Sequence, residues 1–261
     1  MLAVLTRSCG CSGTASSPPQ NCRNIVVNIP PKLSDAAIYS QVEQISLGVA
    51  PDYNSPDITT NNDIPFTLYP EIQVTVRNLS PSVPAINVLV HAYTTAFGIG
   101  MPQTYLATQQ VNIDKASQIN LSFPLPQSIL NSGDPRIGFY IVLEHPYDLK
   151  QINNYGSQVI SSHDTATYGR NYQVQIPVCN PSGSSQEIKL SIMPTAIAAS
   201  ISPNTYNFSP YEQIIATLNI NVPAAMTGTG TNNQQEVTVV GQSVPSNNLI
   251  GGITEIIFVN N

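Results

Sequence analysis

The stretch PEIQVTVRNLSPSVPAINVLVHAYTT, residues 70–95, decides the fold class. Ile72, Val74 and Val76 alternate with Gln73, Thr75 and Arg77. After a break at Asn78 to Pro84, Ile86, Val88 and Val90 alternate with Asn87, Leu89 and His91. Successive strand side chains point to opposite faces, so this period of two predicts two half-buried strands joined by a loop. The same grammar recurs along the chain. Further strands are expected over 104–113, 117–124, 137–145, 171–178, 186–193, 197–201, 212–222, 235–240 and 253–259. Gly, Pro and Asn punctuate them.

One short helix is expected, capped near Ser34-Asp35 and presenting Tyr39, Val42 and Ile45 on one face. Short strands at this spacing, with turn residues between them, predict an all-β chain of tandem Ig-like antiparallel β-sandwiches. The expected divisions are an N-terminal arm over 1–50, a first sandwich over 51–150 and a second over 151–261. The polar run 146–165 marks the boundary.

Composition narrows the function classes. Of 261 residues, 41% are apolar, enough for real cores, while only 9% are charged, against roughly 25% in an average soluble domain. Asn, Gln, Ser and Thr supply the polarity, with 22 Pro. Such a neutral polar surface suits an extracellular or particle-bound β protein. Disorder is not expected, since it combines low hydrophobicity with high charge. The net charge is -6, and the 9 Lys and Arg are scattered singly. Without clustered cations to displace phosphate counterions, no nucleic-acid partner is expected. No apolar run approaches the ~20 residues of a membrane span.

The N-terminal region reads as a Pro-rich arm. Leu2 to Leu5 is shorter than the ~7–15-residue core of a secretory signal, and Arg7 interrupts it, so no clear signal peptide is read. Cys9, Cys11 and Cys22 crowd this arm. A disulfide of Cys22 with Cys11 or Cys9 is expected in an oxidising compartment. Zinc would need a fourth ligand, and no His lies nearby. Cys179 reads as a small buried hydrophobe. Asn24, Ile25, Val26, Val27, Asn28 and Ile29 form an expected strand stopped by Pro30-Pro31, available to add to the sheet of a neighbour.

Three short stretches join this reading to a family. Ser55-Pro56-Asp57-Ile58, followed by Val76-Arg77-Asn78 and Asn87-Val88-Leu89-Val90, resembles the bacterial Ig-like domain called CARDB, the cell-adhesion-related domain. In place of that family's usual turn Gly stand Ser80-Pro81-Ser82. The resemblance implies an Ig-like sandwich in a surface or assembled protein, with no inherited active site.

Chemistry-bearing residues are few. Asp52, Asn54, Asp57 and Asp63, within 52–63, are hard oxygen ligands at short spacing, the donor set of Ca²⁺, though the Gly and terminal Glu of an EF-hand loop are missing. The same residue types also close turns on their own backbone. No cofactor is expected unless these oxygens hold Ca²⁺. His145, Asp148, His163 and Asp164 offer imidazole and carboxylate for Zn or Mn, or turn caps. His91 falls at an outward strand position. No Gly-x-Ser-x-Gly nucleophile elbow and no phosphate loop is present. Asn78, Asn120 and Asn207 head glycosylation sequons.

The expected function is non-enzymatic: a structural or adhesive protein that assembles with copies of itself or other subunits into a cell-surface fibre or extracellular particle. The alternatives are a glycan-binding module using Tyr93, Tyr105, Tyr155 and Tyr168, and a phage or virus-like particle decoration protein.

Overall fold

The computed structural model describes residues 32–59, 70–131, 136–223 and 234–260. Its first half runs β1 (Ala36–Ala37), α1 (Gln41–Ser46), β2 (Ile58–Thr59), β3 (Glu71–Asn78), β4 (Ala85–Ala96), β5 (Thr104–Ile113), β6 (Ser117–Pro124), α2 (Gln127–Leu130), β7 (Ile137–Glu144) and β8 (Tyr155–Gln158). β3 pairs along its length with β6 and on its other flank with β1 and β2. The facing sheet has the order β5-β4-β7-β8. Ile72, Val74 and Val76 from one sheet, and Val88, Val90, Ala92 and Ile141 from the other, are fully buried in one core. Burying each such side chain contributes about 1.5–3 kcal/mol.

β3 and β4 therefore do not pair with each other. The loop 79–84 is an arch that carries the chain from one sheet to the opposite one. Alternation shows that each strand buries one face; it does not show which strand lies beside it.

The second half repeats the plan with β9 (Ile160–Thr167), β10 (Asn171–Cys179), β11 (Gln186–Ile192), β12 (Ala198–Ser202), β13 (Thr205–Phe208), β14 (Gln213–Asn221), β15 (Gln234–Val244) and β16 (Leu249–Asn260). One sheet is β10-β14-β12 and the other β13-β11-β15-β16-β9. All pairs here are antiparallel except β16 with β9. β10 and β11 again lie in opposite sheets across an arch. In Ig lettering, β3 and β10 are strand B, β4 and β11 are C, β6 and β14 are E, β7 and β15 are F, and β8 and β16 are G. B pairs E in one sheet, and C-F-G forms the other, in both halves. The fold is two Ig-like β-sandwiches in tandem.

A buried asparagine closes each arch. Asn78, 1% exposed, ends β3. Its Oδ1 accepts from the Ser80 amide (3.1 Å) and the Asp35 amide (3.3 Å). Its Nδ2 donates to the carbonyls of Val83 (2.8 Å), Asp114 (3.2 Å) and Ile113 (3.3 Å). Asn180, fully buried after β10, repeats the arrangement. Its Oδ1 accepts from the Ser182 amide at 2.9 Å, and its Nδ2 donates to Ser184 and Ser209 carbonyls, both at 2.9 Å. A short amide side chain can cap its own turn and also reach a second loop, which a hydroxyl cannot do with the same number of bonds. The Asn78 amide is thus enclosed rather than available for glycosylation, whereas Asn120 and Asn207 are exposed.

Two boundaries differ from the sequence reading. The helix starts one turn later than expected. Ser40 is its N-cap, accepting from the Glu43 amide at 3.3 Å, and Gly48, at φ 71, follows the C-cap. Ser34 to Ala37 instead lie extended against β3 and Asp148, where pairing satisfies their backbone. The chain stays in the first sandwich past residue 150: β8 pairs β7, and the crossing comes at Val159. This segment reads as a linker because its residues are polar, yet Asn153, Asn154, Ser157 and Gln158 are buried in the protein. Asn153 donates to Asp35 at 2.9 Å and Asn154 to Asp148 at 2.6 Å. Of the arm expected over 1–50, residues 36–38 belong instead to the first sandwich, where β1 pairs β3 and Ala36 and Ile38 join the core; residues 1–31, with the expected Cys11–Cys22 disulfide and Asn24–Ile29 strand, lie outside the described residues, as do 224–233.

Asn78→Ala and Asn180→Ala each strip several buried partners and are expected to cost about 2–3 kcal/mol in urea unfolding. Asn120→Ala, at an exposed site, is expected to cost under about 0.5 kcal/mol.

Candidate functional site

The segment 52–58, where Ca²⁺ ligands were expected, is divided between two partners. Asp57 is 1% exposed. Its two carboxylate oxygens pair with the Arg77 guanidinium, and the Tyr39 amide donates to it at 2.7 Å. The hydrogen bonds to Asp57 raise the Arg77 pKa. A buried carboxylate needs such a partner, since alone it would carry a large desolvation cost. Two of the stretches that carried the CARDB resemblance, 55–58 and 76–78, meet at this ion pair, and beside it the Thr75 amide donates to the Asp57 carbonyl at 2.8 Å. Asp52 and Asn54 face the second sandwich instead. Asp52 Oδ1 accepts from the Asn54 amide (2.9 Å) and Thr254 Oγ1 (3.1 Å), and Asn54 Nδ2 donates to Glu236 at 3.0 Å. Burial foremost, with the Glu236 charge adding to it, raises the Asp52 pKa. Asp63 lies outside the described residues. Among the described residues, no three His, Cys, Asp or Glu side chains gather as a metal site.

Tyr53, between these residues, enters the second core and is 1% exposed. Its amide donates to Thr254 Oγ1 at 3.1 Å, and its carbonyl accepts from the Val159 amide at 3.0 Å. The ring lies where a side chain at residue 252 would be: a Cβ on Gly252 would sit 2.2 Å from the Tyr53 ring. Ile99 makes the matching insertion from the β4–β5 loop. Its amide donates to the Pro177 carbonyl and its carbonyl accepts from the Cys179 amide, both at 2.9 Å. One residue of the first sandwich is thereby added, in parallel, to β10 of the second. Gly100, at φ 68, lies so near this strand that a Cβ would come within 2.3 Å of the Cys179 carbonyl. Phe97, Ile99 and Tyr140 from the first half pack in the second core. Burial raises the Tyr140 pKa to about 12. The two sandwiches share this apolar seam.

His145 and Ser34 form a buried pair, Ser34 Oγ to His145 Nε2 at 2.6 Å. Ser34 is 1% exposed, so its hydroxyl faces no open surface; the pair pins residues 34–38 against the β7–β8 connection. His145 Nδ1 has no hydrogen-bond partner among the described residues. Burial foremost lowers the His145 pKa, against the pull of Asp148. The side chains of His163 and Asp164 lie outside the described residues. Cys179 is a buried free thiol beside Ile99.

Two open surfaces among the described residues lie on the first sandwich. β5 has β4 on one side and no partner on the other among the described residues. Next to it, Tyr93, Tyr105 and Tyr155 share the outer face of the β5-β4-β7-β8 sheet with His91, whereas Tyr168 packs against the second core. The sequence reading missed the seam. Its partners lie far apart in the chain, Ile99 with residues 177–179 and Tyr53 with Gly252, and no motif links them. Among the described residues, no helix is long and apolar enough to cross a membrane.

No family model and no curated protein matches the chain. Among solved structures, SSP-19, an MSP-domain protein-like family member of Caenorhabditis elegans, is 10% identical, with a TM-score of 0.26 over 38% of this chain and 94% of that one. PapD-like domain 7 of human CEP192 is 12% identical, with a TM-score of 0.29 over 39% and 80%. The SrpA adhesin of Streptococcus sanguinis is 17% identical, with a TM-score of 0.29 over 38% and 52%. Likeness at this level assigns no activity, and the fold rests on the strand pairing itself.

Gly252→Ala forces the Tyr53 ring out of place and is expected to cost about 2–3 kcal/mol. Tyr53 Oη has no hydrogen-bond partner, so Tyr53→Phe is expected to be neutral or to stabilise by up to about 1 kcal/mol. Chemical denaturation of both variants checks the pair. His145 adds a pH dependence. Unfolded His takes up a proton near pH about 6.5, while the folded imidazole stays neutral to lower pH, so stability falls as pH drops from about 7.5 to about 5.5. His145→Gln is expected to flatten the thermal midpoint over that window. The raised Asp52 and Asp148 carboxyls act oppositely, at the acidic end.

Proposed function

We propose that the chain is a non-enzymatic structural or adhesive protein: a rigid pair of Ig-like sandwiches that joins copies of itself into a fibre or particle at the cell surface or outside the cell. The observation that carries this reading is the edge of β5. Its sequence, Thr104-Tyr105-Leu106-Ala107-Thr108-Gln109-Gln110-Val111-Asn112-Ile113, holds no ionisable group that is charged at neutral pH and no Pro. Natural sheets guard their edges with Lys, Pro, bulges or brevity, because an open edge is a row of unpaired donors and acceptors. Several other edges among the described residues are guarded. β12 and β13 are short, β10 contains Pro177 and is met by Ile99, and the Ser122 carbonyl of β6 is taken by Gln109 Nε2 at 2.6 Å. β5 pairs regularly with β4 from Ala107 to Val111, between an irregularity near Leu106 and another opposite Asn112.

The expected Asn24–Ile29 strand is the segment assigned to a neighbour's β5, as a donor strand. The seam supports the same reading, since a hinge between the sandwiches would not carry load along a fibre. The neutral polar surface and the CARDB resemblance support an extracellular or particle-bound setting.

Sedimentation tests this at concentrations well above about 10 μM. The full chain is expected to assemble. The chain lacking residues 1–31 and the double variant Gln110→Lys, Asn112→Lys are expected to be folded monomers. A monomeric full chain, or assembly that persists in both variants, contradicts the proposal.

A further inference from the structure

The outer face of the β5-β4-β7-β8 sheet carries a second, independent surface. Register places Tyr105, Tyr93 and Tyr140 in one row, Thr108, His91, Val142 and Tyr155 in the next, and Leu89 with Glu144 in the third. The second sandwich covers the Tyr140 end. Beyond it the face is open: Tyr105 is 59% and Tyr155 52% exposed. A chain of hydrogen bonds runs from Tyr105 across β4 to Glu144. Tyr105 Oη donates to Thr108 Oγ1 at 3.0 Å, His91 Nδ1 lies 2.7 Å from the same oxygen, and His91 Nε2 lies 3.3 Å from Glu144 Oε2. Tyr93 meets Tyr105 edge-on, with centroids 5.8 Å apart.

We propose that this strip binds an uncharged oligosaccharide. Tyrosine rings offer flat apolar faces to sugar C–H groups, with polar tips beside them. The exposed Glu144 carboxylate accepts from hydroxyls, and the relay holds the polar groups in place before a ligand arrives, which lowers the ordering cost of binding. From β5 to β8 is three strand spacings, about 14 Å, which suits a short oligosaccharide better than one sugar. The charge pattern selects against other occupants. The three rows contain no Lys or Arg, so phosphorylated or sulfated ligands gain no attraction. A second copy packed face to face would bury Glu144 without a cation.

A glycan array of neutral and anionic oligosaccharides, followed by calorimetry on the neutral hits, tests the site on the full chain. A neutral oligosaccharide is expected to bind with Kd below about 1 mM, and Tyr105→Ala and Tyr155→Ala are each expected to weaken it by about tenfold. Both tyrosines are exposed, so thermal melting should not change. Tyr211→Ala, at an equally exposed ring (70%) elsewhere, should leave binding intact. A silent array, a preference for anionic glycans, binding unaffected by both substitutions, or equal loss in the Tyr211 control would overturn the proposal. So would substitutions that abolish self-association and leave glycan binding intact, which would mark the strip as a contact between copies.

Discussion

The rest of the structure depends on two side chains that cross from one sandwich into the core of the other. Ile99 leaves the first sandwich between Gly98 and Gly100 and is pinned by two backbone hydrogen bonds to β10. Tyr53 leaves the first sandwich by a different segment and fills the space over Gly252. Neither contact tolerates a larger residue at its glycine. A flexible tether joins domains through one linker; here separate segments, brought together by folding, clamp the second core from two directions. The apolar contact and the fixed backbone pairing together remove the hinge that two tandem sandwiches would otherwise have.

The same economy of partners explains the polar groups inside. Asn78 and Asn180 close equivalent arches, each tying its turn to a second loop. Asp57 is held by Arg77, and Gln41 satisfies both ends of its amide on Asp52 and Ser157. These residues build the scaffold. The surfaces proposed for partners are an uncharged strand edge and a tyrosine-rich sheet face, both on the first sandwich.

The all-β class and most long strands were legible in the sequence because burial of one face leaves a period of two. Ile72-Val74-Val76 and Val88-Val90-Ala92 show this directly. Pairing was not legible. β3 and β4 are neighbours in sequence yet face each other across the core, and β3 instead pairs with β6, beyond two intervening strands. β8 and β9 escaped because Tyr155-Gly156-Ser157-Gln158 and Ser161-Ser162-His163-Asp164 carry too little apolar alternation to signal a strand. The oxygen ligands at 52–57 looked like a set because they are close in sequence. Arg77, which partners Asp57, and Thr254, which partners Asp52, are far away in sequence and unmarked by any motif. Ile99 was hidden for the same reason, since its partners are at 177–179.

Native-state hydrogen exchange tests the central claim, one rigid two-sandwich unit, most directly. The seam amides of Ile99, Val159, Cys179 and Thr254 are predicted to exchange only with global unfolding, with the same opening free energy as the core strands β4 and β15. Seam amides that open at much lower free energy, while both cores stay protected, would show two sandwiches on a hinge and contradict the account.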